Sequence, residues 1–473
     1  MIYGCLLLPS IIVSLLSREY SVVLTLSFIF IACGLFGWIG HTFFDNEIKK
    51  VSIRDCFMIT ILTWLVIIFL TTLPFYLCGN GYRYLDCLYD ATAAWTTTGT
   101  AAIDVPTLPN GLQLFRSSCN WAGGMGIILL TLTFLPMRQF VGRNLAYAES
   151  PGPGFLKSNT TFRHTYRNLF MLYVSITAVQ FILLLFSSAL TPFEALLTAL
   201  SNTSTSGLEH LNNGDIRYLP TYPKVIITLF ACFSSLNVGS ILYTVKGSFK
   251  TLFKNGENRF AFIRILILTL IITGTLAIEH KIDGGILRSF GSTLMQVISF
   301  VSTAGYRISD ESSWPFYSKI LILVFMLIGA CSLSTGGGIK IARTIIAGKT
   351  IHHNLSHVIH PRNVRLITYD STVLRITTIQ RANLYICVYF LIFSIGALLL
   401  TWELDIDEAF FMAATMLSNI GVSIDGPTDP SYITNLSGFS RLVLSFLMLA
   451  GKLEIYPVIL LGFRSFWRED ENA

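Results

Sequence analysis

The chain of 473 residues is 53% hydrophobic and only 13% charged, with a mean hydropathy of +0.63. Soluble domains carry roughly 25% charged residues, so this composition sets that class aside in favour of a membrane protein. The formal charge of +6 becomes informative only when it is mapped along the chain.

Two apolar runs, at 2–16 and 22–39, open the sequence. The first has no basic segment before it and no small-residue cleavage site, and the second follows almost at once. Both therefore read as retained membrane helices and not as a secretory signal. Further runs lie at 56–77, 121–135, 168–190, 225–245, 262–278, 320–331, 384–400 and 442–463. With their flanks they reach the roughly 20 residues that a bilayer crossing takes. The expected fold class is an all-α polytopic membrane protein. With the amino terminus inside and each span reversing direction, segments 41–55, 136–167, 246–264, 340–381 and 464–473 hold 22 of the 33 Lys and Arg. The positive-inside rule makes these the cytoplasmic segments and leaves both termini in the cytoplasm. The basic balance thus reports topology, and nucleic acid is not an expected partner. The nine cysteines are scattered without a C-x-x-C pair and read as buried thiols; Cys78 and Cys87 are the two that could meet outside the membrane.

Between the spans, one pattern recurs four times: "WTTTGTAAID" (95–104), "STSGLEH" (204–210), "STAGYRISD" (302–310) and "SNIGVSID" (418–425). Each places small or hydroxyl residues before a glycine, and Gly99, Gly207, Gly305 and Gly421 are 108, 98 and 116 residues apart. Each strip follows a spanning run and a shorter amphipathic segment, at 86–97, 192–205, 287–303 and 406–419. About 14 residues make a helix of roughly 20 Å, too short for a hydrocarbon core of about 30 Å. These segments are expected to dip into the membrane and return. Thr191-Pro-Phe-Glu194 reads as a capping box with proline at the first helical position, and Asp405-Ile-Asp-Glu408 as an acidic variant.

Non-helical backbone at membrane depth is tolerated only when it is buried in protein or lines a watery cavity. Glycine lets successive carbonyls turn toward a common axis. A ring of such oxygens can replace the hydration shell of an alkali cation, aided by the negative carboxyl ends of four helices. The plainer alternative is that each glycine merely ends its helix as a left-handed cap. A second signal is "CSLSTGGGIK" (331–340), because consecutive glycines inside a spanning helix cost about 1 kcal/mol each relative to alanine.

These strips, with "NWAGGMGIILLTLTFLPM" (120–137), "AESPGPG" (148–154), "STGGGIKIART" (334–344), "HPR" (360–362) and the run from Gly451 to Arg468, resemble the Trk/Ktr/HKT superfamily of potassium transporters, most closely its TrkH branch. The resemblance spans nearly the whole chain. It implies four membrane-pore-membrane repeats around a pseudo-fourfold pore, at 51–140, 164–250, 259–350 and 376–466, preceded by two helices within 1–45. It implies a K⁺ filter at Thr97, Thr98, Gly99, Thr205, Ser206, Gly207, Thr303, Ala304, Gly305, Asn419, Ile420 and Gly421. Glycine in the first repeat is the potassium-selective pattern of the superfamily. It further implies a gate at Gly336, Gly337, Gly338 and Lys452, with lysine standing where the family typically has arginine. A lysine cannot make the forked contacts of a guanidinium. The resemblance also implies a homodimer in the bacterial inner membrane, in contact with lipid, and a cytoplasmic nucleotide-binding regulatory subunit of the TrkA type. No cofactor and no enzymatic chemistry are expected, K⁺ being the cargo.

Asp104, Glu209, Asp310 and Asp425 follow the filter glycines within five positions and form a candidate outer vestibule that concentrates cations. Tyr306 reads as a packing anchor. His352, His353, His357 and His360 have metal-ligand spacings but lie in a basic loop and read as a solvated or partner-contacting face. Rival readings are a channel with comparable Na⁺ permeation, a membrane-embedded enzyme, for which the spans supply almost no acids or histidines, and a broken-helix secondary transporter, which would carry inverted repeats.

Overall fold

The computed structural model describes residues 2–43, 52–78, 81–126, 162–208, 216–245, 247–281, 285–309, 314–360, 366–370, 372–422, 430–460 and 462. The described residues are predominantly helical. Helices α1 (Ile2–Leu16) and α2 (Tyr20–Phe43) come first. At 15 residues, α1 rises only about 22 Å, less than the hydrocarbon core. It packs on α2 and on α5 (Asn110–Met125), and the carboxylate of Glu19, in the turn after α1, accepts the first amides of α5 from Asn110 (2.7 Å) and Gly111 (3.1 Å). A carboxylate there complements the positive end of a helix.

Four units of one design follow. Each has a long apolar helix, a short buried helix, an extended strip and a returning helix. In the first these are α3 (Ile53–Cys78), α4 (Tyr84–Trp95) and α5; in the second, α6 (Phe162–Leu185), α7 (Pro192–Thr203), α8 (Thr221–Ser235) and α9 (Val238–Val245). Helix α10 (Lys250–Lys254) leads into the third unit, formed by α11 (Gly256–Ile278), α12 (Ile286–Val301), α13 (Phe316–Ile328) and α14 (Ile341–Ile359). The fourth has α15 (Ile376–Leu400), α16 (Ile406–Leu417), α17 (Pro430–Asn435), α18 (Gly438–Lys452) and α19 (Tyr456–Leu460). Among the described residues the one sheet is a hairpin of β1 (Thr368–Tyr369) and β2 (Thr372–Val373), with Thr368 opposite Val373.

The packing is inside-out relative to a soluble protein. Among the described residues, five helices are long and apolar enough to cross a membrane, or six if the bent α8–α9 pair is one span. Large side chains on them face outward, Leu24 at 72% and Phe36 at 76% exposure, while hydroxyl residues of the short helices and strips are buried. Apolar outer faces are what a lipid environment selects.

Three expected spans are broken, each for a local reason. The run 225–245 bends by 107° at Leu236 and Asn237, where the Asn237 side chain receives the Ser240 amide and starts α9. The run 320–331 stops at Ile328, where Gly329 adopts φ 71°. The run 442–463 leaves its helix after Lys452, with Glu454 and Ile455 both left-handed. The run 121–135 is described only to Gly126. The capping box at Thr191 and Glu194 forms as expected, its side chains and amides bonding reciprocally. The acidic variant does not: Asp405 makes no side-chain cap bond, and Glu408 instead accepts the Tyr432 hydroxyl at 2.9 Å.

Candidate functional site: four converging strips

The four short helices stop two residues before their expected ends, and all four stop in the same way. Thr97, Thr205, Thr303 and Asn419 adopt left-handed φ angles of 56°, 56°, 63° and 55°. The following amides, of Thr98, Ser206, Ala304 and Ile420, reach back to the carbonyls of Ala93, Ser201, Ser299 and Thr415 at 2.9, 2.9, 3.0 and 2.8 Å. Those of Thr97, Thr205, Thr303 and Asn419 bond Ala94, Asn202, Phe300 and Met416. This is the Schellman closure, with Thr or Asn where glycine usually stands. The glycines are therefore not the helix caps. They come two residues later, and Gly207, Gly305 and Gly421 supply a second left-handed turn with φ of 65°, 76° and 84°.

What the glycines permit is close approach between units. A Cβ on Gly99 or Gly207 would collide with the carbonyl oxygen of Ser206 or Ala304 respectively. On Gly305 it would lie 2.6 Å from the Ile420 oxygen, and on Gly421 2.5 Å from the Gly99 nitrogen. The strips thus touch in the cyclic order one, two, three, four and back to one. The Gly99 amide closes the ring by donating to the Ile420 carbonyl at 3.1 Å.

A threonine with positive φ is a backbone outlier that costs about 1–3 kcal/mol and persists only where its surroundings hold it. Here the strained residues are held by their own side chains. Lys452 Nζ donates to Thr97 Oγ1 (2.9 Å), the Gly337 amide to Thr303 Oγ1 (3.1 Å), and Thr205 Oγ1 to the Ser204 carbonyl (2.7 Å). Asn419 Nδ2 donates to Thr98 Oγ1 (3.3 Å) and to the Met448 carbonyl (2.7 Å).

Residues 329–340, between α13 and α14, form a non-helical loop pressed against the strips. Gly336 packs beneath Ser302 and Thr303, and Gly337 beneath Ser418 and Asn419. Thr335 Oγ1 donates to the Thr203 carbonyl at 3.3 Å, and Lys452 Nζ reaches the Thr335 carbonyl at 3.4 Å. The loop closes on itself through the Ala330 amide to the Gly337 carbonyl (3.2 Å) and through Lys340 Nζ, which donates to the Gly336 carbonyl. Lys452 sits at the end of α18, about 20 Å along the helix. Nearby, Glu454 pairs with Arg343, whose guanidinium lies 3.9 Å over the Tyr385 ring. A cavity of ≈ 150 Å³ lies alongside, lined by Trp64, Tyr173, Thr335, Gly337 and Lys452 among others.

The residues that brace the strips from behind escaped the sequence reading. Asp90, wholly buried, accepts the Ile103 amide (2.7 Å) and pairs with Arg116 (2.6 Å), which also donates to the Thr100 carbonyl (2.9 Å). Gln296 accepts the Ile308 and Ser309 amides (2.7 and 2.9 Å) and donates to the Tyr306 carbonyl (3.1 Å). Tyr306 is buried in the second unit's core, as a packing anchor should be. The signal available for these braces was a charged or amide residue inside an otherwise apolar short helix. Asp104 is exposed beside the first strip, whereas Glu209, Asp310 and Asp425 lie outside the described residues. The rings of His353 and His357 are 6.4 Å apart, and no group of three metal-ligating side chains occurs among the described residues.

Residues 23–468 match the family described as TrkH, cation transport protein. The chain belongs to the TrkH cation transport family. It is 28% identical to the Trk system potassium uptake protein TrkH of Vibrio parahaemolyticus, over 99% of this chain and 97% of that one. It is also 28% identical to TrkH of Escherichia coli strain K12, covering 93% and 91% of the two chains. The crystal structure of the potassium transporter TrkH from Vibrio parahaemolyticus superposes with a TM-score of 0.84 at 26% identity, covering 99% and 97%. Family membership and fold agree with what the strips implied, and the relatives are named as transport proteins.

Proposed function

We propose that this chain carries K⁺ into the cell across the bacterial inner membrane as the membrane component of a Trk-type uptake system. The observation that carries the reading is the fourfold identity of the strips: four short helices with one Schellman ending, whose glycine-bearing strips close into a ring. The names of the relatives support K⁺ as the cargo. The units at 51–140, 164–250, 259–350 and 376–466 act as repeats about one pore, behind the two leading helices.

Carbonyl dipoles from Thr97–Gly99, Thr205–Gly207, Thr303–Gly305 and Asn419–Gly421 take over part of the hydration shell of the ion. No ionised side chain is placed among these twelve residues, so the ion is held weakly enough to pass. The four helix carboxyl ends add negative potential around the ring. The loop with Gly336, Gly337 and Gly338 is the gate, and Lys452 latches it to the first strip. Contacts of the loop with Thr203, Thr303 and Ser418, in the second, third and fourth units, support reading this position as the closed one. Asp104, Glu209, Asp310 and Asp425 form the outer vestibule. Both termini face the cytoplasm, the assembly is a homodimer, and a nucleotide-binding subunit docks on the basic cytoplasmic loops.

The test is rescue of a K⁺-uptake-deficient bacterium at low external K⁺, with Gly99→Ser alongside. The native chain should restore growth, and the serine variant should lose discrimination against Na⁺. Failure of the native chain, or an unchanged K⁺/Na⁺ preference in the variant, overturns the assignment.

A further inference from the structure

The gate loop has a second anchor, remote from the strips. Its Ser332 amide donates at 2.6 Å to one carboxylate oxygen of Glu257, in the first turn of α11. The other oxygen of Glu257 accepts the hydroxyl of Tyr369, also at 2.6 Å. Glu257 is 3% exposed, so both bonds form in a setting where a charge-assisted hydrogen bond is worth more than in water. Tyr369 belongs to the β1–β2 hairpin, on the side that the charge bias assigns to the cytoplasm.

The hairpin is fastened to the elements that flank the gate. Asp370 accepts the Gly256 amide at 3.3 Å, and Lys349 of α14 donates to the Thr368 carbonyl at 2.7 Å. The residue after Glu257 extends the same node. Asn258 Oδ1 accepts the Asn237 amide at the bend of the second unit (3.2 Å) and the Cys331 thiol (3.7 Å), and Asn258 Nδ2 donates to Ser240 (2.7 Å). One pair of polar residues therefore joins the cytoplasmic hairpin, the bend at Asn237 and the entrance of the gate loop.

We propose that Glu257 and Tyr369 are positioning residues for the gate. The β1–β2 hairpin sets, through the Glu257 carboxylate, how firmly the Ser332 end of the loop is held beneath the strips. A displacement of the hairpin from the cytoplasmic side withdraws the Tyr369 hydroxyl, reorients the carboxylate and frees the loop. This inference rests on the gate reading above.

The test uses the purified full chain in liposomes, with Rb⁺ influx and hydrogen exchange of the 329–340 backbone as separate readouts. Tyr369→Phe removes one hydroxyl and should raise basal Rb⁺ influx by about tenfold, leave the K⁺/Na⁺ ratio unchanged and speed exchange across 329–340. Glu257→Gln keeps the volume but cannot accept from both donors, and Tyr369→Phe added to it should change little, since the two act as one unit. Tyr432→Phe, which breaks a similar Tyr–Glu contact far from the gate, serves as the control and should behave as the native chain does. Native-like influx and exchange in Tyr369→Phe overturn the proposal, as do effects of the two variants that simply multiply. Absence of Rb⁺ influx in the native chain counts against the transport reading, while the exchange comparison still decides the Glu257 link.

Discussion

Thr303 combines two features that ordinarily exclude each other, a β-branched side chain and a left-handed backbone. Its hydroxyl accepts the Gly337 amide of the 329–340 loop in a fully buried setting. The strain and the contact are one arrangement, because the left-handed turn is what presents Oγ1 to the loop. Thr303→Val keeps the shape and deprives that amide of its acceptor, which on the proposed gate reading costs about 1–3 kcal/mol in the closed arrangement alone. Basal cation influx should rise by roughly tenfold, with the K⁺/Na⁺ ratio preserved, in a liposome flux assay; a closed-state leak equal to that of the native chain excludes the contact as a latch. At this scale the sequence was legible in its glycines and opaque in its threonines. Gly305 declares an unusual backbone because its residue type is made for one. Thr303 does not, since nothing in a threonine's chemistry announces a positive φ, and the repeat from Thr97 through Thr205 and Thr303 to Asn419 signals it only once one of them is seen.

Between elements, caps decide where helices begin, and here too one kind was readable and another was not. Thr191 and Glu194 lie three residues apart and cap one helix locally. The cap of α18 is remote. Glu403, just beyond α15, accepts the Ser437 amide (2.8 and 3.0 Å) and the Ser440 hydroxyl (2.5 Å), supplying from another helix what Ser437 supplies in part. The breaks at Asn237 and Glu454 were hidden for the same reason, because their partners Asn258 and Arg343 are 21 and 111 residues away. Glu403 carries a measurable consequence. Burial pushes its carboxyl upward, but the bonds from Ser440 and Ser437 outweigh that and hold it below the usual carboxylate range. A lowered folded-state pKa contributes stability above the unfolded value of about 4.3, and that stability is lost as pH falls through the lower one. Thermal unfolding in detergent should therefore separate the native chain from Glu403→Gln at pH 7, with the gap narrowing below pH of about 4. A gap that widens on acidification would reverse the assigned sign.

For the molecule as a whole, the demanding step is closing the ring between its first and last units. Neighbouring units are joined by chain, but the seam between unit four and unit one is made, among the described residues, by contacts remote in sequence, several of them more than 300 residues apart. They include the Gly99 amide to Ile420, Asn419 to Thr98, Lys452 to Thr97, and a buried ion pair of Asp86 on α4 with Arg441 on α18. Asp86 and Arg441 are 4% and 5% exposed. A buried pair gains little over apolar residues of the same size, since desolvation offsets most of its attraction, whereas breaking it from one side leaves an uncompensated charge at a cost of about 3–5 kcal/mol. Arg441→Met alone should therefore lower the denaturation midpoint sharply and abolish uptake, because an open seam leaves the fourth strip without its neighbour. Asp86→Leu together with Arg441→Met should recover most of the stability. If it also recovers K⁺ uptake, the pair serves closure alone; if the double variant is stable yet silent, the charges at this seam also shape the field through which the ion passes. A single Arg441→Met variant as stable and active as the native chain would show that the ring does not depend on this closure.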